Sequence, residues 1–148
     1  GDNVYEINLL VDDGSNRANP VPVIIEVVEM DNNVPTFAGA PFSFSVNENI
    51  AEIPFDFNAT DSDANTMLTY SIVEDDSTDA GKVKIEDPTL ARISFNQPIP
   101  DYENPHDLNE DRIFSFNIRA SDGIDYIDAL VEIEIDDPEE EIQEGGAL

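Results

Sequence analysis

Apolar residues fall on every second position in nearly every segment that reads as ordered. Phe114, Phe116, Ile118 and Ala120 alternate with other residues, as do Phe42, Phe44 and Val46, and then Ile53, Phe55, Phe57 and Ala59. Shorter runs repeat the pattern at Leu68, Tyr70 and Ile72, at Val83 and Ile85, at Ile93 and Phe95, and at Val131, Ile133 and Ile135. A period of two puts alternate side chains on opposite faces of an extended strand, whereas an amphipathic helix needs apolar residues three and four apart. No segment shows the helical period. About seven strands at short spacing, with turn residues between them, predict an all-β fold, a seven-strand Greek-key antiparallel β-sandwich.

Part of this pattern occurs twice. YEINLLVDDG, residues 5–14, matches FSFNIRASDG, residues 114–123, and each is followed by a loop and a second alternating strand, VPVIIEVVE or LVEIEIDD. The offset, about 109 residues, is an ordinary domain length. Residues 1–30 therefore read as the last two strands of a preceding repeat, 31–36 as an intermodule linker, 37–137 as a complete domain and 138–148 as an acidic tail. The abrupt start at GDNVYEINLL fits a piece of a longer chain. A lone hairpin is marginal in water. Residues 4–30 thus leave open pairing with a second copy, or replacement of residues 112–136 in a swapped dimer.

Charge narrows the function. Acidic residues outnumber basic ones 34 to 6, for a formal net charge of −28. Such a chain repels nucleic acid and anionic membrane surfaces, and no apolar run is long enough for a membrane-spanning helix. There is no cysteine, hence no disulfide and no thiolate metal site. A compact state with this charge needs screening or bound cations; solubility at high salt is the plain alternative.

The acids gather where strands end. The stretch VVEMDNNVPTF places Glu29, Asp31, Asn32 and Asn33 between two strands, more oxygen-bearing side chains than a turn requires. Asp61 and Asp63 follow the second strand of the domain and Asp122 the sixth. In a seven-strand sandwich these ends emerge at one pole, where the linker also enters. Three or more carboxylates within a few ångströms call for a cation. Calcium, with six to eight oxygen ligands, suits irregular loops better than magnesium. The lone His106 and the absence of thiols serve zinc and copper poorly. At the opposite pole Glu48 follows the first strand, Asp101 and Glu103 the fifth, and Asp136 and Asp137 the seventh.

Together these residues resemble a cadherin repeat, in particular a bacterial cadherin-like module. The motifs are V-N-E-N (Glu48), D-S-D (Asp61, Asp63), D-Y-E (Asp101, Glu103), A-S-D-G (Asp122) and the linker E-M-D-N-N-V-P-T-F, with T-Y-S-I at residues 69–72 matching the family's third strand. The resemblance implies calcium at the linker pole, held by Asp31, Asn32, Asn33, Asp61, Asp63, Asp122 and a carbonyl or amide near Asn65. It implies a half-site at the other pole from Glu48, Asp101, Glu103 and Asp137. The departures are Glu29 for the family's Asp, Asp31 for its first Asn, Asn32 for its next Asp, Tyr102 for its Arg, and a C-terminal linker reduced to D-D-P-E-E-E.

The function implied is a calcium-rigidified spacer or adhesion domain in a larger surface or secreted protein, extracellular, not an enzyme. Its partners would be neighbouring cadherin-like repeats, with homophilic or polysaccharide contacts open. The alternative is a carbohydrate-binding module of a polysaccharide-degrading enzyme, for which Tyr102 and Tyr126 are the candidate platforms. Asn58 in N-A-T is a formal glycosylation acceptor, read here as a chance match.

Overall fold

The computed structural model describes residues 3–28, 30, 33–63 and 66–138. The chain divides into two compact units, Gly1–Asp31 and Asn32–Leu148. The smaller unit is a hairpin of β1 (Val4–Leu9) and β2 (Val21–Glu26). Its connection turns at Gly14, whose φ of +89° is open to glycine without strain, and Asp12 accepts the Gly14 N–H at 2.8 Å.

The larger unit contains β3 (Thr36–Phe37), β4 (Phe42–Asn47), β5 (Ala59–Thr60), β6 (Thr69–Ile72), β7 (Val83–Asp87), β8 (Arg92–Phe95), β9 (Ile113–Ser121) and β10 (Tyr126–Asp136), with one 3-10 turn at Asp79–Lys82. Four strands form one sheet in the order β4-β10-β9-β6, while β3 pairs with β5 and β7 with β8. Alternate residues of the long strands point inward: Phe114, Phe116, Ile118 and Ala120 on β9, and Ala129, Val131, Ile133 and Ile135 on β10. They pack against Ile53, Phe57, Ile93 and Phe95 in one continuous core. The all-β sandwich predicted from the period of two is the fold observed.

Two details differ from the sequence reading. First, β4 runs parallel to β10, with Phe42 opposite Val131 and Val46 opposite Ile135, so the sheet is not wholly antiparallel. The first strand is divided: β3 pairs with β5, then the chain bends through Gly39 at φ +83° and continues as β4 beside β10. Second, the strand expected over residues 53–59 is interrupted. Pro54 has no N–H to give to a ladder, and Phe55 N–H folds back to the Ile53 carbonyl at 2.9 Å, a three-residue turn. Pairing survives on either side, as a bridge from Glu52 to Ser94 and as β5. Ile53, Phe57 and Ala59 remain buried; Phe55 turns outward, 38% exposed, and stacks on Phe44 with ring centroids 4.2 Å apart.

The two hairpins share a register. Tyr5 lies opposite Ile25, Ile7 opposite Val23 and Leu9 opposite Val21, as Phe114 lies opposite Ile133, Phe116 opposite Val131 and Ile118 opposite Ala129. The exposures are opposite. Phe116 is 0% exposed, whereas Tyr5, Ile7 and Leu9 are 61%, 49% and 57% exposed.

Candidate metal sites at the two poles

One pole is assembled from strand ends. Thr36 at the start of β3 pairs with Thr60 at the end of β5, and Thr69 at the start of β6 pairs with Ser121 at the end of β9. The short connection 61–68 joins these pairs and carries Asp61 and Asp63. Asn33, just before β3, donates its backbone N–H to Asp63 Oδ2 at 2.8 Å and its side-chain Nδ2 to Asp63 Oδ1 at 2.6 Å. Asp63 N–H donates in turn to Asp61 Oδ1 at 2.7 Å. Asp122 follows β9 in an Asp-Gly turn: its Oδ1 accepts Ile124 N–H at 2.6 Å and Asp125 N–H at 2.7 Å, with Gly123 at φ +99°. Each of these short motifs uses one carboxylate oxygen to close its own turn.

The second oxygens are the informative ones. Asp61 Oδ2 and Asp122 Oδ2 are both buried and have no hydrogen-bond partner among the described residues. A buried carboxylate oxygen without a donor loses its hydration uncompensated, so such atoms occur where something else meets them. Hard oxygen donors with neither thiol nor imidazole beside them suit a hard divalent cation. Asp31, Asn32, Asn65 and the linker Glu29 lie outside the described residues.

At the other pole the structure brings together Glu48, Asp101 and Glu103. Each offers an oxygen within 4.8 Å of the others, the one set of three acidic, histidine or cysteine ligands this close among the described residues. Glu48 N–H donates to the Asp136 carbonyl at 3.0 Å, which anchors the end of β4 to β10, and its Oε2 accepts Tyr102 N–H at 2.9 Å. Asn49 takes φ +61° and donates to the Pro100 carbonyl at 2.9 Å. Asp101 Oδ1 accepts Asn104 N–H at 3.0 Å. Asp137 stands outside this set and lines an adjoining groove of about 480 Å³ with Asn47, Tyr102, Arg112 and Asp136.

Two further acids were not singled out from sequence. Asp79 is 3% exposed and Asp107 5%. Asp79 accepts Leu108 N–H at 2.6 Å and Ser115 N–H at 2.8 Å; Asp107 accepts Asp111 N–H at 2.9 Å and Arg112 N–H at 3.3 Å. They fasten the connection that carries Asp101 and Glu103. Burial pushes the Asp79 carboxyl above its ordinary value, opposed by its two N–H donors and reinforced by the charge of Asp107. An acid whose folded pKa is raised holds its proton more tightly folded than unfolded. Its contribution to stability therefore falls as pH rises from the ordinary carboxylate value through the raised one. Asp79→Asn is expected to remove that decline; thermal melts of both proteins across the acid range measure it, and parallel curves would refute it.

Neither candidate sugar platform presents two free faces. The Arg112 guanidinium lies 4.3 Å over the Tyr102 ring and that of Arg119 3.7 Å over the Tyr126 ring. His106 contacts only Asn104 among the described hydrogen bonds, at 3.4 Å.

Solved structures with a similar fold include cadherin extracellular repeats. Mouse cadherin-23 repeats EC22–24 align with a TM-score of 0.58 at 24% identity, over 91% of this chain and 43% of that one. This chain has the cadherin-repeat fold. Human CDH23 repeats EC21–23 give 0.57 at 19% identity, covering 90% of this chain and 47% of theirs, so this chain spans about half of that structure. Human mucin-like protocadherin EC1–2 gives 0.56 at 15% identity over 91% of this chain and 69% of that one. No protein-family model matches this sequence, and no curated protein does. Among the described residues no helix is long and apolar enough to cross a membrane.

Proposed function

We propose that residues 37–137 are a calcium-binding cadherin-like module of a larger surface or secreted protein, in which calcium stiffens the junction to neighbouring repeats and makes the chain an extracellular spacer or adhesion rod. The observation that carries this reading is the pair of buried oxygens on Asp61 and Asp122 that meet no donor among the described residues. A bound calcium ion would supply the positive charge these oxygens lack, with Asn33, Asp63, the expected linker residues Asp31 and Asn32, and a carbonyl or amide near Asn65 in the loop after D-S-D completing the oxygen set. Glu48, Asp101, Glu103 and Asp137 would serve a second junction. Residues 1–30 are then the closing strands of a preceding repeat, a reading supported by the shared register of the two hairpins.

A carbohydrate-binding role has less in its favour, because an arginine covers one face of each candidate tyrosine. The deciding experiment is a calorimetric calcium titration of chelator-stripped protein beside the Asp61→Ala, Asp63→Ala double variant. Extracellular modules of this kind bind at roughly 0.1–1 mM. Heat of binding in that range, reduced in the variant, is the expected result. Identical isotherms for the two proteins would remove the linker site from consideration.

A further inference from the structure

The connection from β8 to β9, residues 96–112, carries Asp101 and Glu103 without regular structure of its own. It is gripped from its far end. Arg112 is fixed at both backbone groups: its N–H donates to Asp107 Oδ1 at 3.3 Å, and its carbonyl accepts Ile135 N–H at 3.0 Å from β10. From that anchor the side chain reaches back. Its Nε donates to the Tyr102 carbonyl at 3.1 Å while the guanidinium covers the Tyr102 ring. Tyr102 is the residue between Asp101 and Glu103, and its own N–H donates to Glu48 Oε2 at 2.9 Å. One side chain thus holds the centre of the D-Y-E motif by ring and carbonyl, and that motif's amide holds the third carboxylate.

The backbone adds an independent sign. Arg112 has φ +69°, the left-handed region that costs any residue with a Cβ. Glycine would sit there without strain, yet the position holds a long cationic side chain. None of the ion pairs among the described residues uses Arg112.

We propose that Arg112 is a positioning residue for divalent cation binding by Glu48, Asp101 and Glu103, and that it strengthens binding at this pole although it is itself positively charged. The inference rests on the calcium reading above. Plain Coulomb repulsion predicts the reverse, since a fixed cation near the site should compete with a bound one. What offsets the repulsion is geometry: partners that orient the ligating groups of a metal site are worth about 10- to 100-fold in affinity when removed.

The test is calcium calorimetry on the full chain with the linker pole silenced by Asp61→Asn and Asp122→Asn. In that background Arg112→Gly, which relieves the left-handed backbone, is expected to weaken binding by about tenfold or more while the metal-free melting temperature stays close to the parent's. Arg112→Lys, which keeps the charge but not the planar Nε contact, is expected to weaken it comparably. Equal or tighter binding by Arg112→Gly, or parental affinity in Arg112→Lys, overturns the proposal. If the parent background binds no calcium while the chain with an intact linker pole does, the Glu48 pole is not a calcium site and the proposal falls with it.

Discussion

Calcium-loaded protein is expected to melt far above the chelator-stripped form. At a calcium concentration one hundred times the dissociation constant, binding to the folded state alone adds about 2.7 kcal/mol. For a domain of roughly 100 residues that corresponds to a rise on the order of 10–20 °C. Asp122→Asn sharpens the test because its effect should reverse sign with the metal. Without calcium the substitution removes a carboxylate whose buried Oδ2 meets no donor among the described residues, while Asn can still accept the turn's two N–H groups through Oδ1. The metal-free variant should therefore melt no lower than its parent. With calcium it should melt lower, since a charged ligand has gone. Sodium chloride at matched ionic strength separates this from general screening of the −28 charge. A variant shifted equally with and without calcium, or sodium as effective as calcium, would reduce the aspartates to turn formers on an acidic surface.

How far the sequence could anticipate these sites depends on the range of the interactions involved. The period of two placed β4, β9 and β10 because alternation is a local property and a buried face enforces it. Likewise, the turns at D-S-D and A-S-D-G are written in the residues that make them: Asp63 N–H bonds to Asp61 and Ile124 N–H to Asp122, each two positions apart. The parallel pairing of β4 with β10 was not legible, since it depends on residues about ninety positions distant lying side by side. The break after Ile53 was written in Pro54, but the apolar alternation on either side masked it. Asp79 and Asp107 were hidden for another reason. An aspartate in an acidic chain reads as solvated surface, and only the fold shows that Asp79 collects N–H groups 29 and 36 residues away. Arg112 is a similar case, a cation in a loop whose role depends on Tyr102 folding back beneath it.

The matched hairpins allow truncation to alanine to be tried at one register position in two environments. Phe116→Ala empties a position that is 0% exposed at the centre of the core, which ordinarily costs about 3–5 kcal/mol, a large share of the 5–15 kcal/mol that holds a domain together. Ile7 occupies the equivalent register position on the first hairpin but is 49% exposed. Ile7→Ala should therefore cost no more than about 0.5 kcal/mol, the usual range for a surface change. Urea unfolding of both variants, followed at constant protein concentration, measures the contrast. A large loss for Ile7→Ala would mean that the hairpin's apolar face is covered in solution. Sedimentation at two concentrations would then say by what. A mass that doubles as concentration rises would identify a second copy as the cover, so that the face belongs to an assembly of like chains. A constant monomer mass would place the cover within the same chain. In a core the energy of a side chain follows from its surroundings rather than its identity, and these two positions, alike in strand and register, are where that difference is largest.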